Sequence, residues 1–240
     1  MSLPEKEFTQ EYYDHGYFAD PQGKSFDRGT GTIEHWGYKN LDGEFLGAKN
    51  IAEAWKNIFK AKNMLDVGAG RGVFIAYARD VGIEAEGFDY STWAVNNPYP
   101  RCKKEWLKVH DATQPWPYPD VSFDLVTSLD FFEHVYQPDL AFVMSELYRV
   151  AKKWVFLQIA TVDGRKEKGY VLKKGEPIPW KDGRTWAGHV TAQTEESWYE
   201  RLEHDEWMPR RDMVNWFCSL VDKNVIRNWL LNTMIVLEKI

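Results

Sequence analysis

The stretch Asp66-Val67-Gly68-Ala69-Gly70-Arg71-Gly72 follows a short apolar run, Met64-Leu65-Asp66-Val67, and precedes a helical pattern from Val73 to Val81. Strand, glycine turn and helix in that order form the opening of a βαβ unit. Glycines in such a turn allow a tight reversal and let a ligand lie against bare backbone. Gly82 stands where the helix should stop.

Working outward, apolar runs and helical patterns keep alternating. Ile83 to Phe88 reads as a second strand ending at Asp89, and Ser91 as the cap of a short helix that must end before Pro98. Trp106 to His110 is a third strand, ending at Asp111, and Phe123 to Leu129 a fourth. Pro138 opens a helix with Leu140, Val143 and Leu147, and Trp154 to Ala160 is a fifth strand. Upstream, Ile51, Trp55, Ile58 and Phe59 share one face of a helix over Ala48 to Phe59. Downstream, Thr194 caps a helix carrying Trp198 and Leu202, residues 210–230 read as helical, and Thr233 to Leu237 closes the sheet. The expected class is α/β: a doubly wound, Rossmann-like, mostly parallel sheet with helices on both faces and an antiparallel closing strand.

Residues 1–47 group Phe8, Tyr12, Tyr13, Tyr17 and Phe18 and read as an N-terminal lid. Residues 48–240 form the main domain, with 161–193, rich in Gly, Lys and Trp, as an insertion over the sheet's active edge. The 240 residues, 44% hydrophobic and 28% charged, suffice for a buried core and exclude a disordered chain. A net charge of −6 argues against gripping nucleic-acid phosphates, and Arg101-Cys102-Lys103-Lys104 reads as a solvated turn. No apolar run approaches the ~20 residues of a membrane span. The N-terminus lacks the pattern of a secretory signal. Cys102 and Cys218 make neither a disulfide framework nor a zinc motif, which fits a reducing, cytoplasmic setting.

Ligands of open α/β sheets bind beyond the carboxyl ends of the strands. Here Asp66, Asp89 and Asp111 stand at three successive strand ends. Asp89 is placed to accept ribose hydroxyls, and Asp111 to accept from an adenine amine. The dinucleotide fingerprint needs a small third residue in GxGxxG, but that position is Val73, and the glycine falls instead at Gly72.

Leu65-Asp66-Val67-Gly68-Ala69-Gly70-Arg71-Gly72 resembles the first motif of the class I S-adenosylmethionine-dependent methyltransferases of small-molecule type. Asp89, Asp111-Ala112 and Phe123-Asp124-Leu125-Val126 resemble that family's later motifs, and Leu129-Asp130-Phe131-Phe132-Glu133-His134-Val135 its segment after strand four. The resemblance covers about residues 60–160. It implies S-adenosyl-L-methionine as cofactor. Asp66 would orient the loop and hold the methionyl amine through water. Gly68, Ala69 and Gly70 would lie against methionyl and ribose. Asp89 would bind ribose, Asp111 and Ala112 would border adenine, and Tyr90 would flank it. Ser128 and Leu129 would border the methionyl group through their backbone.

A methyl acceptor with a hydroxyl calls for a base near neutral pH, and histidine is the usual one. His134 follows strand four and His189 ends the insertion, so these are the catalytic candidates. Glu133 is a weaker third, and His110 reads as structural. The Asn/Asp-Pro-Pro-aromatic pattern of nucleic-acid amino methylation is missing after strand four, as are a Pro-Cys nucleophile and a paired-glutamate loop. The acceptor expected is therefore a small molecule or sugar, with no nucleic acid and no membrane partner, and the reaction O-methylation. Trp180, Trp186, Tyr12 and Tyr13 would wall its pocket. Alternatives are N- or C-methylation on the same fold, a nicotinamide-dependent oxidoreductase, and a non-catalytic cofactor-binding protein. No metal is expected, because no acidic cluster has the spacing of a divalent site.

Overall fold

The computed structural model describes residues 9–11, 13, 15–18, 42–44, 46–161, 189–191, 193–223, 225 and 232–240. The chain order of elements is α1 (His15–Phe18), α2 (Leu46–Phe59), β1 (Asn63–Val67), α3 (Val73–Asp80), β2 (Glu84–Asp89), α4 (Thr92–Asn96) and β3 (Leu107–Val109). There follow β4 (Phe123–Leu129), α5 (Leu140–Val150), β5 (Ala151–Ala160), α6 (Glu195–Arg201), β6 (Trp207–Pro209), α7 (Arg211–Leu220) and β7 (Asn232–Lys239).

The strands form one seven-stranded sheet in the order β3-β2-β1-β4-β5-β7-β6. The first five are parallel, whereas β7 runs against them and pairs antiparallel with both β5 and β6. The expected doubly wound class with an antiparallel closing strand is therefore the observed one. From β1 the chain winds outward to β2 and β3, then returns to β4 on the other side. That reversal opens a crevice between the carboxyl ends of β1 and β4.

Strand side chains alternate between faces, so each strand feeds two cores. Met64, Leu125, Phe156 and Val236 join the core beneath α2, α3 and α7. Leu65, Val126, Val155, Leu157, Ile235 and Leu237 join the core beneath α5 and α6. The stripe Ile51, Trp55, Ile58 and Phe59 of α2 is buried as its spacing predicts. The caps also stand where the sequence puts them. Ser91 Oγ accepts from Ala94 N at 3.0 Å, and Thr194 Oγ1 from Ser197 N at 3.1 Å.

Some boundaries differ from the sequence reading. Pro138 lies in a 3-10 turn, Gln137–Asp139, and α5 starts only at Leu140. β5 starts at Ala151, because Lys152 and Lys153 continue the strand with exposed side chains that carry no apolar signal. β6 was not expected at all. It is three residues at the sheet edge, where Pro209 needs no ladder donor. Of the solvated turn 101–104, Arg101, Lys103 and Lys104 are exposed, but Cys102 is buried. Most of the proposed lid 1–47 and insertion 161–193, including Tyr12, Trp180 and Trp186, lies outside the described residues.

Candidate functional site

The glycine turn sits in the crevice and is strained in a way only glycine tolerates. Gly68 has φ +74° and Gly72 φ +77°. A Cβ on Gly68 would stand 2.6 Å from the Phe131 ring, and one on Gly72 2.4 Å from Cys102 Sγ. The turn's donors point inward. Gly68 N and Ala69 N both donate to Phe88 O at 3.0 Å, and Gly70 N donates to Asp89 Oδ2 at 2.7 Å. Burial pushes the Cys102 thiol up to about 12, which makes it a packing group rather than a nucleophile.

The acids have distinct settings. Asp66 is buried, and Thr127 Oγ1 donates to its Oδ1 at 2.8 Å. Loss of water around the carboxyl raises its pKa to about 7, against the lowering by Thr127, and the charge of Asp89 adds to the rise. Asp89 Oδ1 accepts from Ser91 N at 2.7 Å, so this carboxylate ties the glycine turn to the start of the next loop. Burial raises its pKa too, against the lowering by those two backbone bonds. Each oxygen retains a lone pair for a further donor. Asp111 Oδ1 accepts from Thr113 N at 2.9 Å and Thr113 Oγ1 at 2.8 Å, closing a turn and leaving its other oxygen.

The remaining cofactor candidates line the same rim. Tyr90 O accepts from Gln10 Nε2 at 2.7 Å, and Ala112 O from Trp116 Nε1 at 3.0 Å. Ser128 Oγ donates to Val67 O at 3.0 Å, so its side chain braces β1 against β4. Leu129 packs on the α2–α3 core. Both leave a ligand the backbone rather than the side chain.

Beyond β4 the chain turns sharply at Asp130, φ +49°, and the Phe131 ring covers Gly68. A 3-10 turn, Phe132–His134, follows. Glu133 is fully buried, with Ala160 N donating to its Oε1 at 3.1 Å. Thr191 N donates to Glu133 O at 3.0 Å, and Thr191 Oγ1 to Val135 O at 2.6 Å. These bonds seat residues 189–191 on the turn. They bring the His189 and His134 rings to 4.7 Å, edge to face. All three candidates of the sequence reading thus meet in space. His110 lies apart, edge-on to Phe88 with Nε2 3.4 Å from Gln114 O, a structural setting.

The N-terminal segment crosses this site. Gln10 reaches Tyr90, the Tyr13 hydroxyl lies 3.2 Å from His134 Nδ1, and Phe18 stacks on Trp93 at 5.9 Å. Phe18 Cε1 also lies 3.5 Å from where a Cβ on Gly70 would stand. Sequence reasoning missed Gln10, Thr127, Phe131 and Thr191. Only Phe131 carried any signal, as half of an aromatic pair after strand four.

A family model described as a methyltransferase domain matches residues 40–217. No curated protein matches the chain. Among solved structures, the PH0226 protein of Pyrococcus horikoshii OT3 is similar at 15% identity and TM-score 0.56, over 80% of this chain and 89% of that one. A SAM-dependent methyltransferase from Archaeoglobus fulgidus matches at 16% identity and TM-score 0.54, over 84% and 97%. The plantazolicin methyltransferase BpumL, in complex with a pentazolic desmethylPZN analogue and SAH, matches at 14% identity and TM-score 0.54, over 81% and 84%. At these identities the likeness is one of fold. Among the described residues, no helix is long and apolar enough to cross a membrane.

Proposed function

This chain belongs to the methyltransferase-domain family, and on that premise we propose that it methylates a hydroxyl oxygen of a small metabolite or sugar. S-adenosylmethionine is the methyl donor, and its sulfonium supplies an already activated methyl group.

The residues present fit that cofactor better than a dinucleotide. Gly68, Ala69 and Gly70 spend their N–H groups on Phe88 O and Asp89. A pyrophosphate would need such donors turned outward at the helix start, whereas a methionyl–ribose–adenine ligand needs none of them. Asp89 accepts the ribose hydroxyls on its remaining lone pairs, Tyr90 flanks adenine, and Asp111 accepts from the adenine amine beside Ala112. Asp66 holds the methionyl ammonium through water. The backbone of Ser128 and Leu129 borders the methionyl chain.

The observation that carries O-methylation is the meeting of His134 and His189 just past β4, at a ring separation of 4.7 Å. They stand beside Phe131, which covers the glycine turn, so the acceptor's proton can be drawn off close to the transferring methyl. Gln10, Tyr13 and Phe18 of the N-terminal segment act as a cover, with Tyr13 positioning His134.

Calorimetry with S-adenosylmethionine, its demethylated product and NAD tests the cofactor. NAD binding without binding of the other two overturns it. Transfer of labelled methyl across hydroxyl, amine and activated-carbon acceptors tests the reaction. Labelled product confined to amines or carbon sinks the O-methylation reading.

A further inference from the structure

The acceptor end of the site holds more ligating chemistry than proton transfer needs. Glu133, His134 and His189 each bring one ligand atom within 4.8 Å of the other two. Glu133 is fully buried and His189 is 6% exposed, so the donors are largely shielded from water. Donors bound to one ion at about 2.1 Å lie about 3.4 Å apart in a tetrahedron, so closure needs at most about 1.4 Å of movement. Side-chain rotation supplies that.

The supports of such a site are also present. Backbone bonds from Thr191 N and Ala160 N hold Glu133 and seat the segment carrying His189. The Tyr13 hydroxyl lies 3.2 Å from His134 Nδ1 and orients that imidazole. Two imidazoles with one carboxylate suit zinc, cobalt or iron(II) and leave at least one open position. Magnesium and calcium prefer all-oxygen ligation.

We propose that Glu133, His134 and His189 bind one divalent transition-metal ion, with the acceptor hydroxyl taking an open position. The role given to the hydroxyl rests on the methyl-transfer reading above; the metal ligation does not. Bound to the ion, the acceptor O–H bond breaks with its proton passing to water. The oxygen lone pair then forms the O–C bond as the C–S pair returns to sulfur, leaving a neutral thioether. In this arrangement the two imidazoles act through the ion, their lone pairs on the metal, in place of the direct proton removal described above.

The test uses the full chain stripped by chelator and titrated with Co²⁺, read by its visible absorption, with bound Zn²⁺ counted after gel filtration. Saturation at one ion per chain is expected. Glu133→Gln and His189→Ala should weaken binding by more than the about 10–100-fold typical of losing a supporting hydrogen bond. Glu133→Gln keeps an oxygen for Ala160 N, and circular dichroism reports whether the fold survives. His134→Ala, at the less buried position, carries the test if it does not. Binding of less than a tenth of an equivalent, or unchanged affinity in His134→Ala and His189→Ala, overturns the proposal. Calorimetry with the demethylated cofactor on the same stripped protein separates the two readings. Cofactor binding without cobalt binding removes only the metal site, whereas cobalt binding without cofactor binding removes the methyl-transfer reading.

Discussion

Replacing Asp89 by alanine is expected to damage cofactor binding and the fold together, in separable amounts. For the cofactor, two ribose hydroxyls lose a charged acceptor, each bond contributing about 1.5–3 kcal/mol. The site is partly exposed and water repays some of that loss, so the low end applies. About 3 kcal/mol corresponds to about 100-fold in Kd. For the fold, Gly70 N and Ser91 N lose the carboxylate oxygens they meet at 2.7 Å. At about 1 kcal/mol each near water, that is about 2 kcal/mol, or about 4–8 °C in Tm for a chain of this size. Asp89→Asn sharpens the comparison, since its one amide oxygen can serve only one of the two N–H groups. It should melt between wild type and alanine, yet bind the cofactor nearly as weakly as alanine. The assay is calorimetry with the demethylated cofactor beside thermal melting. A Kd within about threefold of wild type for Asp89→Ala refutes ribose binding and leaves Asp89 a loop tie.

The Asp66 carboxyl, with a pKa near 7, is protonated in the folded apo chain where the unfolded chain has already lost its proton. Apo stability should therefore fall as pH rises from about 4 to 7, a slope Asp66→Asn should flatten in melting experiments. Because the cofactor's ammonium favours the carboxylate, affinity should drop by up to about tenfold per pH unit below 7, and a flat calorimetric profile would contradict this. Gly68→Ala should cost about 1–2 kcal/mol for its positive φ alone, plus displacement of Phe131, read as a lowered Tm; an unchanged Tm would mean the turn relaxes freely. Once an acceptor is in hand, His134→Ala and His189→Ala should each slow turnover by about 10²–10⁴-fold with cofactor affinity kept, and the double variant should be little worse than either. A loss below about tenfold in both would remove histidine from the reaction. Amide exchange at residues 9–18 should slow when the demethylated cofactor binds, and unchanged exchange would make that segment a static cover.

The parts legible in the sequence are those where local chemistry and final environment agree. β1 and β4 are short, mainly apolar runs cut off by glycine or aspartate, and their buried patterns match, whereas β2 mixes Glu84 and Glu86 with buried Ala85 and Phe88 before it ends at Asp89. Ser91 and Thr194 are cap residues that act as caps. β6 carried no such signal, because three residues at an edge owe their conformation to pairing with β7. The site divides the same way. The glycine turn and its three acids follow one another along the chain, so spacing exposes them. Asp111 lies two residues beyond β3, and its side chain, like that of Ser128, is partly spent on bracing, which a one-dimensional reading does not show. The meeting of His134 with His189 depends on a backbone bond between Thr191 and Glu133, far apart in sequence, and no periodicity records it.

Both margins of the sheet are short. β3 and β6 are three residues each, one offering Lys108 and the other Pro209. Such margins present too few free ladder groups to template a foreign strand, and charge or proline at them discourages it further. Among the described residues, the sheet margins therefore give a second copy of this chain little to extend, and helix faces and loops offer more surface.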